Sequence, residues 1–277
     1  MKTIRRQILL AAALAALGLI ATTPALAEGD NEASNEAEIA KKTQNPIANL
    51  ISLPFQLNYD HDIGPEQDGK TWYLKVQPVI PISLNDDWNV ISRTILPIQY
   101  QKDYAPGVDD HTGVGDITQS FFFSPKKPTE SGWIWGVGPA LLIPSDNEQM
   151  SSKKWGAGPT AVFLKQENGW TYGMLANQIW SYAGTDSRPD VNATFLQPFL
   201  SYTTSHYTTF GINSESTYNR EARQWSVPIN LSVTQLLKID KQLLSVQAGV
   251  RYWADTPDNV GPEHWGLRLQ ASFLFPK

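Results

Sequence analysis

The sequence predicts an all-β protein, a transmembrane antiparallel β-barrel of the outer-membrane type with about 12 strands. Three observations carry this reading. Long segments alternate apolar and polar residues with a period of two. They run to ten or more residues, whereas strands of soluble sandwiches cluster at about five or six. Aromatic side chains gather at their ends. Composition agrees: 41% hydrophobic and 11% aromatic residues accompany only 18% charged, below the roughly 25% of an ordinary soluble domain.

The N-terminus comes before the barrel. Residues 1–27 combine Lys2, Arg5 and Arg6, an apolar run from Ile8 to Ala21, and the ending Ala25-Leu26-Ala27. A basic start, a short apolar stretch and a small-x-small site make an export signal. Its removal leaves 19 basic against 27 acidic residues, a net charge near −8 rather than −5. Residues 28–48 differ again: Ala33–Lys42 is rich in helix formers, and Asn45-Pro46 stops the helix because proline lacks the N–H donor. We expect a periplasmic or lumen-plugging segment there, and a barrel over 49–277.

Within the barrel, Ile51, Leu53, Phe55, Leu57 and Tyr59 alternate with polar or small partners, as do Trp225 to Val233, Leu244 to Tyr252 and Trp265 to Phe275. Candidate strands fall at 51–59, 70–82, 88–101, 113–124, 132–144, 154–166, 169–182, 191–202, 206–217, 223–236, 243–254 and 264–275. Their length matches the ~9–11 tilted residues that cross a bilayer, with some overhang. An even count returns both termini to one side. Strands 169–182 and 206–217 alternate poorly, and their facing stays open. Prolines at 54, 78, 81, 97, 139, 159, 198 and 228 fall inside candidate strands, where they withhold a ladder donor. The element Trp135-Gly136-Val137-Gly138-Pro139 recurs as Trp155-Gly156-Ala157-Gly158-Pro159, which reads as two similar, closely packed strands.

Several functions are excluded or disfavoured. There is no cysteine, hence no disulfide framework, thiol nucleophile or Cys-bound metal. The acidic balance speaks against a nucleic-acid partner. No G-x-S-x-G, H-E-x-x-H, P-loop or GxGxxG motif occurs, and His61, His111, His206 and His264 all fall at loops or strand tips. We therefore expect no catalytic residues, no metal and no cofactor. Asp60-His61-Asp62 and Asp109-Asp110-His111 read as a solvated acidic rim, with a divalent-cation site as the alternative.

Several stretches carry a family likeness. They are Lys42-Thr43-Gln44-Asn45-Pro46-Ile47-Ala48-Asn49-Leu50, Trp133-Ile134-Trp135-Gly136-Val137-Gly138-Pro139, Lys154-Trp155-Gly156-Ala157-Gly158-Pro159, Thr194-Phe195-Leu196-Gln197-Pro198-Phe199 and Phe273-Leu274-Phe275-Pro276-Lys277. Together they resemble a widespread group of Gram-negative outer-membrane proteins described as transporters, itself similar to the barrel family associated with the meta pathway of phenol degradation. The resemblance implies an outer-membrane barrel that passes small solutes, aromatic ones among them. Many such barrels end on an aromatic residue; here Phe275 is followed by Pro276-Lys277.

The polar side of the strands supplies the candidate site. Lys75, Arg93, Asp116, Gln247, Arg251, Arg268 and Gln270 fall there, and inside a barrel such groups pair or line water. They read as a selectivity lining for anionic solutes, with a bracing ion network as an equal alternative. The expected partners are outer-membrane lipid and lipopolysaccharide, the barrel-assembly machinery and a small solute. A structural barrel that conducts nothing and a lipid-modifying enzyme are the rival functions.

Overall fold

The chain closes on itself because β1 (Ile51–Ile63) pairs antiparallel both with β2 (Gly69–Val76) and with the last strand, β15 (His264–Phe275). The computed structural model describes residues 30–104, 107–258 and 260–276; the export signal read at 1–27 lies outside the described residues. The other elements are α1 (Asp30–Lys42), β3 (Val79–Ser83), β4 (Trp88–Lys102), β5 (His111–Val114), β6 (Ile117–Pro125), β7 (Trp133–Ile143), β8 (Lys154–Glu167) and β9 (Trp170–Gly184). They continue as β10 (Asn192–Thr203), β11 (Thr208–Ser214), β12 (Ser216–Asn219), β13 (Gln224–Ile239) and β14 (Gln242–Asp255). β2 with β3, β5 with β6, and β11 with β12 each form one interrupted strand, so the fold is a closed barrel of 12 antiparallel strands. Each of the twelve candidate strands has its counterpart, with ends displaced by a few residues. Glu167-Asn168-Gly169 makes the tight hairpin between β8 and β9, with positive φ at Asn168 (48°) and Gly169 (82°), as a two-residue turn of the primed type requires.

The alternation sorts side chains inside out. On β15, Leu267 is 56% exposed while its neighbour Arg268 is 2% exposed. Rings pack at a tilt against one another at both ends of the outer face: Tyr59 with Trp72 and Tyr252 with Trp265 at one end, Trp170 with Tyr202 at the other. From Trp265 to Phe275, ten steps of ~3.4 Å tilted by ~40° cover about 26 Å, which matches the ~25 Å apolar band of an outer-membrane barrel. That band is the physical basis for a location in the outer membrane. The short turns and both ends of the barrel domain share one side, here called periplasmic.

The prolines explain the interruptions. Pro78 withholds its donor between β2 and β3. Gly115 donates to the Pro97 carbonyl (3.0 Å), and beyond it the pairing with β4 slips by one residue between β5 and β6. Pro228 on β13 lies opposite Glu215, the gap between β11 and β12, and Pro198 on β10 lies opposite Ser214 beside it. The two W-G-x-G-P elements sit against each other, Pro139 directly opposite Pro159. A Cβ at Gly138 would lie 1.9 Å from the Phe121 carbonyl oxygen, and one at Gly158 1.8 Å from that of Gln178. These glycines permit close strand approach.

The N-terminal segment meets the barrel at its periplasmic end. Ile39, Ala40, Ala48 and Leu50 pack with Leu236, Leu243 and Leu274, which face inward there. Ile47 enters a second apolar cluster with Ile91, Phe122, Val162, Leu164 and Leu175. The Asn45 side chain accepts the Ile47 N–H (2.9 Å) and turns the chain toward the lumen. Gln166 on β8 donates to the Lys41 carbonyl (2.8 Å), tying this segment to the wall.

Candidate functional site

A charged constriction crosses the middle of the lumen. Inward positions of β1, β2, β13, β14 and β15 present Asn58 and Asp60, Lys75, Asn230, Arg251 and Arg268. Glu215 reaches them from the gap between β11 and β12. Arg268 forms a two-point contact with Glu215, its NH1 donating to Oε1 at 2.9 Å and its NH2 to Oε2 at 3.1 Å. Lys75 donates to the same Oε2 at 3.1 Å. In barrel order four strands separate β12 from β2 on that side, so this contact spans the lumen rather than running along its wall.

The other arginine is saturated by the wall. Arg251 donates to Asp60 Oδ2 (2.8 Å), Asn58 Oδ1 (2.9 Å) and Asn230 Oδ1 (3.1 Å). Arg268 Nε shares Asn58 Oδ1 at 2.8 Å, and Trp253 donates its indole N–H to Asp60 at 3.0 Å. Fork-shaped guanidinium groups suit such multi-point bonding, and breaking one pair of a buried set leaves the other charge stranded.

The constriction divides the lumen into two spaces. Toward the outside lies a vestibule of ≈ 350 Å³ bordered by Asp60, Tyr73, Lys75, Arg251, Trp253 and Glu215. Toward the periplasm lies an inner chamber of ≈ 210 Å³ bordered by Arg93, Glu215, Arg268 and Gln270. Residues of the 42–50 stretch form its floor. Glu215 faces both spaces.

Of the sequence-predicted residues, Lys75, Arg251 and Arg268 meet at the constriction. Arg93, Gln247 and Gln270 border the chamber below it. Arg93 NH2 donates to Gln77 Oε1 at 3.2 Å, Gln247 donates to Thr234 at 3.0 Å, and Gln270 accepts from Gln56 at 3.0 Å. Asp116 stands apart. It occupies the slip between β5 and β6 and accepts from the Ser151 hydroxyl (2.6 Å) and the Ser152 N–H (2.9 Å), fastening the 144–153 loop. A one-residue slip redirects the side chain, which strict alternation did not anticipate.

Glu215 and Asp60 were missed. In sequence Asp60 reads as part of a rim loop, but β1 continues to Ile63 and carries it inside, where it is 6% exposed. Glu215 lies on the candidate strand 206–217, whose poor alternation does not fix its facing. The signal was Phe210 and Ile212 facing out, which by period two turns residue 215 inward.

At the outer rim His61 Nδ1 lies 2.8 Å and His264 Nδ1 3.6 Å from the Asp62 carboxylate, while His111 meets the Asp109 carbonyl at 3.0 Å. His206 lies in the periplasmic turn beside Ser205, 3.5 Å away. Among the described residues, no three or more His, Asp or Glu side chains converge as a metal site.

Neither a family model nor a curated protein matches the chain. Among solved structures, an outer-membrane channel from Pseudomonas putida F1 is similar with a TM-score of 0.64 at 16% identity, over 82% of this chain and 96% of that one. The β domain of the Bordetella autotransporter Brka gives 0.44 at 12% identity, over 81% and 100%. Outer membrane phospholipase A from Escherichia coli gives 0.44 at 9%, over 81% and 92%. At 16% identity the first likeness shows the fold, an outer-membrane barrel, and the two weaker ones add nothing to it.

Proposed function

We propose that the barrel is an outer-membrane channel for small anionic solutes. One observation carries the reading: among the described barrel side chains that line the two spaces, Lys75, Arg93, Arg251 and Arg268 are set against Asp60 and Glu215, a formal excess of two positive charges inside a mature chain of about −8, while Lys42 of the floor is paired with Glu38. A narrow passage ringed by cations lowers the barrier for anions and raises it for cations. The fold shared with a channel supports the reading, and the resemblance to the phenol meta-pathway barrels adds aromatic acids to the solutes worth testing. Twelve strands lie between packed eight-stranded barrels and open sixteen-stranded porins, so conductance should be small.

A non-conducting barrel draws on a specific observation as well, because the lumen is narrowed at the constriction and floored by residues 42–50. Planar-bilayer recordings separate the two. We expect the mature chain to conduct, the zero-current potential in a KCl gradient to show chloride preferred, and deletion of residues 28–48 to raise the conductance severalfold. Silence from both the mature chain and the deletion variant would sink the channel reading, and cation preference would sink the anionic one.

A further inference from the structure

The inner chamber lies between the constriction and the N-terminal floor, and we propose that it is a binding site for a small carboxylate with an apolar body, anchored at Arg93. The inference rests on the channel reading, which supplies the access route, and names a resting point along it.

Arg93 differs from the other lumen arginines. Its hydrogen bond goes to the neutral Gln77 side chain, and among the described residues it forms no ion pair. Glu215, the acidic group on the same chamber, is already engaged by Arg268 and Lys75. A guanidinium offers five donors in a planar fork that fits a carboxylate at two points. Arg93 therefore faces the chamber with donors to spare.

A second, independent observation points to the same space. Among the described residues, the buried side-chain polar atoms without a hydrogen-bond partner on the protein are Gln56 Oε1 and Ser201 Oγ, and both residues border this chamber. Each is 6% exposed. Gln56 Oε1 can accept and Ser201 Oγ can donate or accept, so the chamber offers a polar substituent somewhere to bond. Val79, Phe199 and Leu50 supply apolar wall.

Size completes the argument. A cavity of ~150 Å³ accepts benzene, and this chamber is ≈ 210 Å³. One ring with a carboxylate fits. A bare inorganic anion would meet Arg93 but leave the apolar wall and the orphaned atoms unserved.

Isothermal calorimetry on the folded mature chain in detergent tests the site with four probes: 4-hydroxybenzoate, benzoate, acetate and benzyl alcohol. We expect 4-hydroxybenzoate to bind most tightly, benzoate next, acetate weakly and benzyl alcohol not measurably. Arg93→Gln should weaken benzoate by about 20-fold or more, the usual size of a charge-assisted bond. Ser201→Ala removes a hydroxyl that bonds nothing on the protein, so folding loses no bond, and it should weaken 4-hydroxybenzoate severalfold. Heat-modifiable gel migration confirms that each variant is folded. Equal binding of benzyl alcohol and benzoate, unchanged benzoate binding in folded Arg93→Gln, or no binding by any probe overturns the proposal. Anion-selective currents without benzoate binding would remove the site and leave the channel standing. Binding without currents would do the reverse.

Discussion

The lumen is narrowed twice, and the two closures are built from opposite chemistry. At the periplasmic end Ile39, Ala40, Ile47, Ala48 and Leu50 bury apolar surface against Leu236, Leu274, Ile91, Phe122 and Leu164. At mid-lumen Arg251, Arg268, Lys75, Asp60 and Glu215 interlock through directional bonds of 2.8–3.1 Å. Apolar contact is non-directional, and the 47–50 stretch held by it can withdraw without stranding a charge, while the helix before it keeps its own ties to the wall, Gln166 to the Lys41 carbonyl and Lys238 to Glu36. The ionic closure is built from side chains of the barrel itself, and removing a shared member such as Glu215 leaves Arg268 and Lys75 uncompensated. One closure is suited to moving and the other to staying.

The largest expected effect breaks the fixed closure. Glu215→Gln takes from Arg268 and Lys75 the carboxylate they share. Loss of one partner from a buried pair costs about 3–5 kcal/mol, and we expect the low end because two water-accessible spaces adjoin it. Thermal conversion of the folded form, followed on gels or by circular dichroism, should shift down, and chloride preference should rise. An unaltered transition would mean that Glu215 braces nothing.

The next variant attacks the movable closure. Ile47→Ala removes buried methyl groups from the lumen cluster, a change that costs about 2 kcal/mol at the lower end for such sites. The cost falls on docking of the 42–50 stretch, since the β-ladder does not include it. Conductance should therefore increase while the unfolding temperature of the barrel holds. A drop in barrel stability with unchanged conductance would erase the distinction between the two closures.

What was legible in the sequence follows the same division. Alternation is a local signal, so the twelve strands and the inward set Lys75, Arg93, Arg251 and Arg268 could be read residue by residue. So could the helix before Asn45-Pro46. Partnership is not local. Nothing near Glu215 in sequence tells that it bonds Lys75, 140 positions away, and the barrel's closure brings Asp60 to Arg251 across 191 positions. Asp116 lies elsewhere for a different reason: Pro97 withholds a donor on the adjacent strand, and at the slip beside it the carboxylate turns toward the 144–153 loop. Prolines were visible, but which neighbour would yield to them was not.

The smallest expected effect lies outside both closures, at the outer rim, and shows whether the rim is coupled to them. Lys153 hydrogen-bonds Glu148 (2.8 Å) and holds its carboxyl below the usual range, and Lys154 does the same for Asp190 (2.9 Å). Arg188 from the 185–191 loop also reaches Glu148, at 3.4 Å. A carboxyl with a depressed folded-state pKa contributes fully above its unfolded-state value, and the contribution is lost as pH falls through the folded-state value. Lowering pH from 6 to below the ordinary carboxylate range should thus loosen the 144–153 and 185–191 loops together. The lysine stems are largely buried, but the Glu148 and Asp190 carboxylates are exposed, so salt and solvent keep the effect small. Hydrogen exchange, corrected for its intrinsic pH dependence, should rise in those loops and stay constant in β13 to β15, whose ladders carry Arg251 and Arg268. Equal protection of the loops at both pH values would show that the lysine pairs do not order the rim, and a parallel loss in β14 would show that rim and constriction act as one unit.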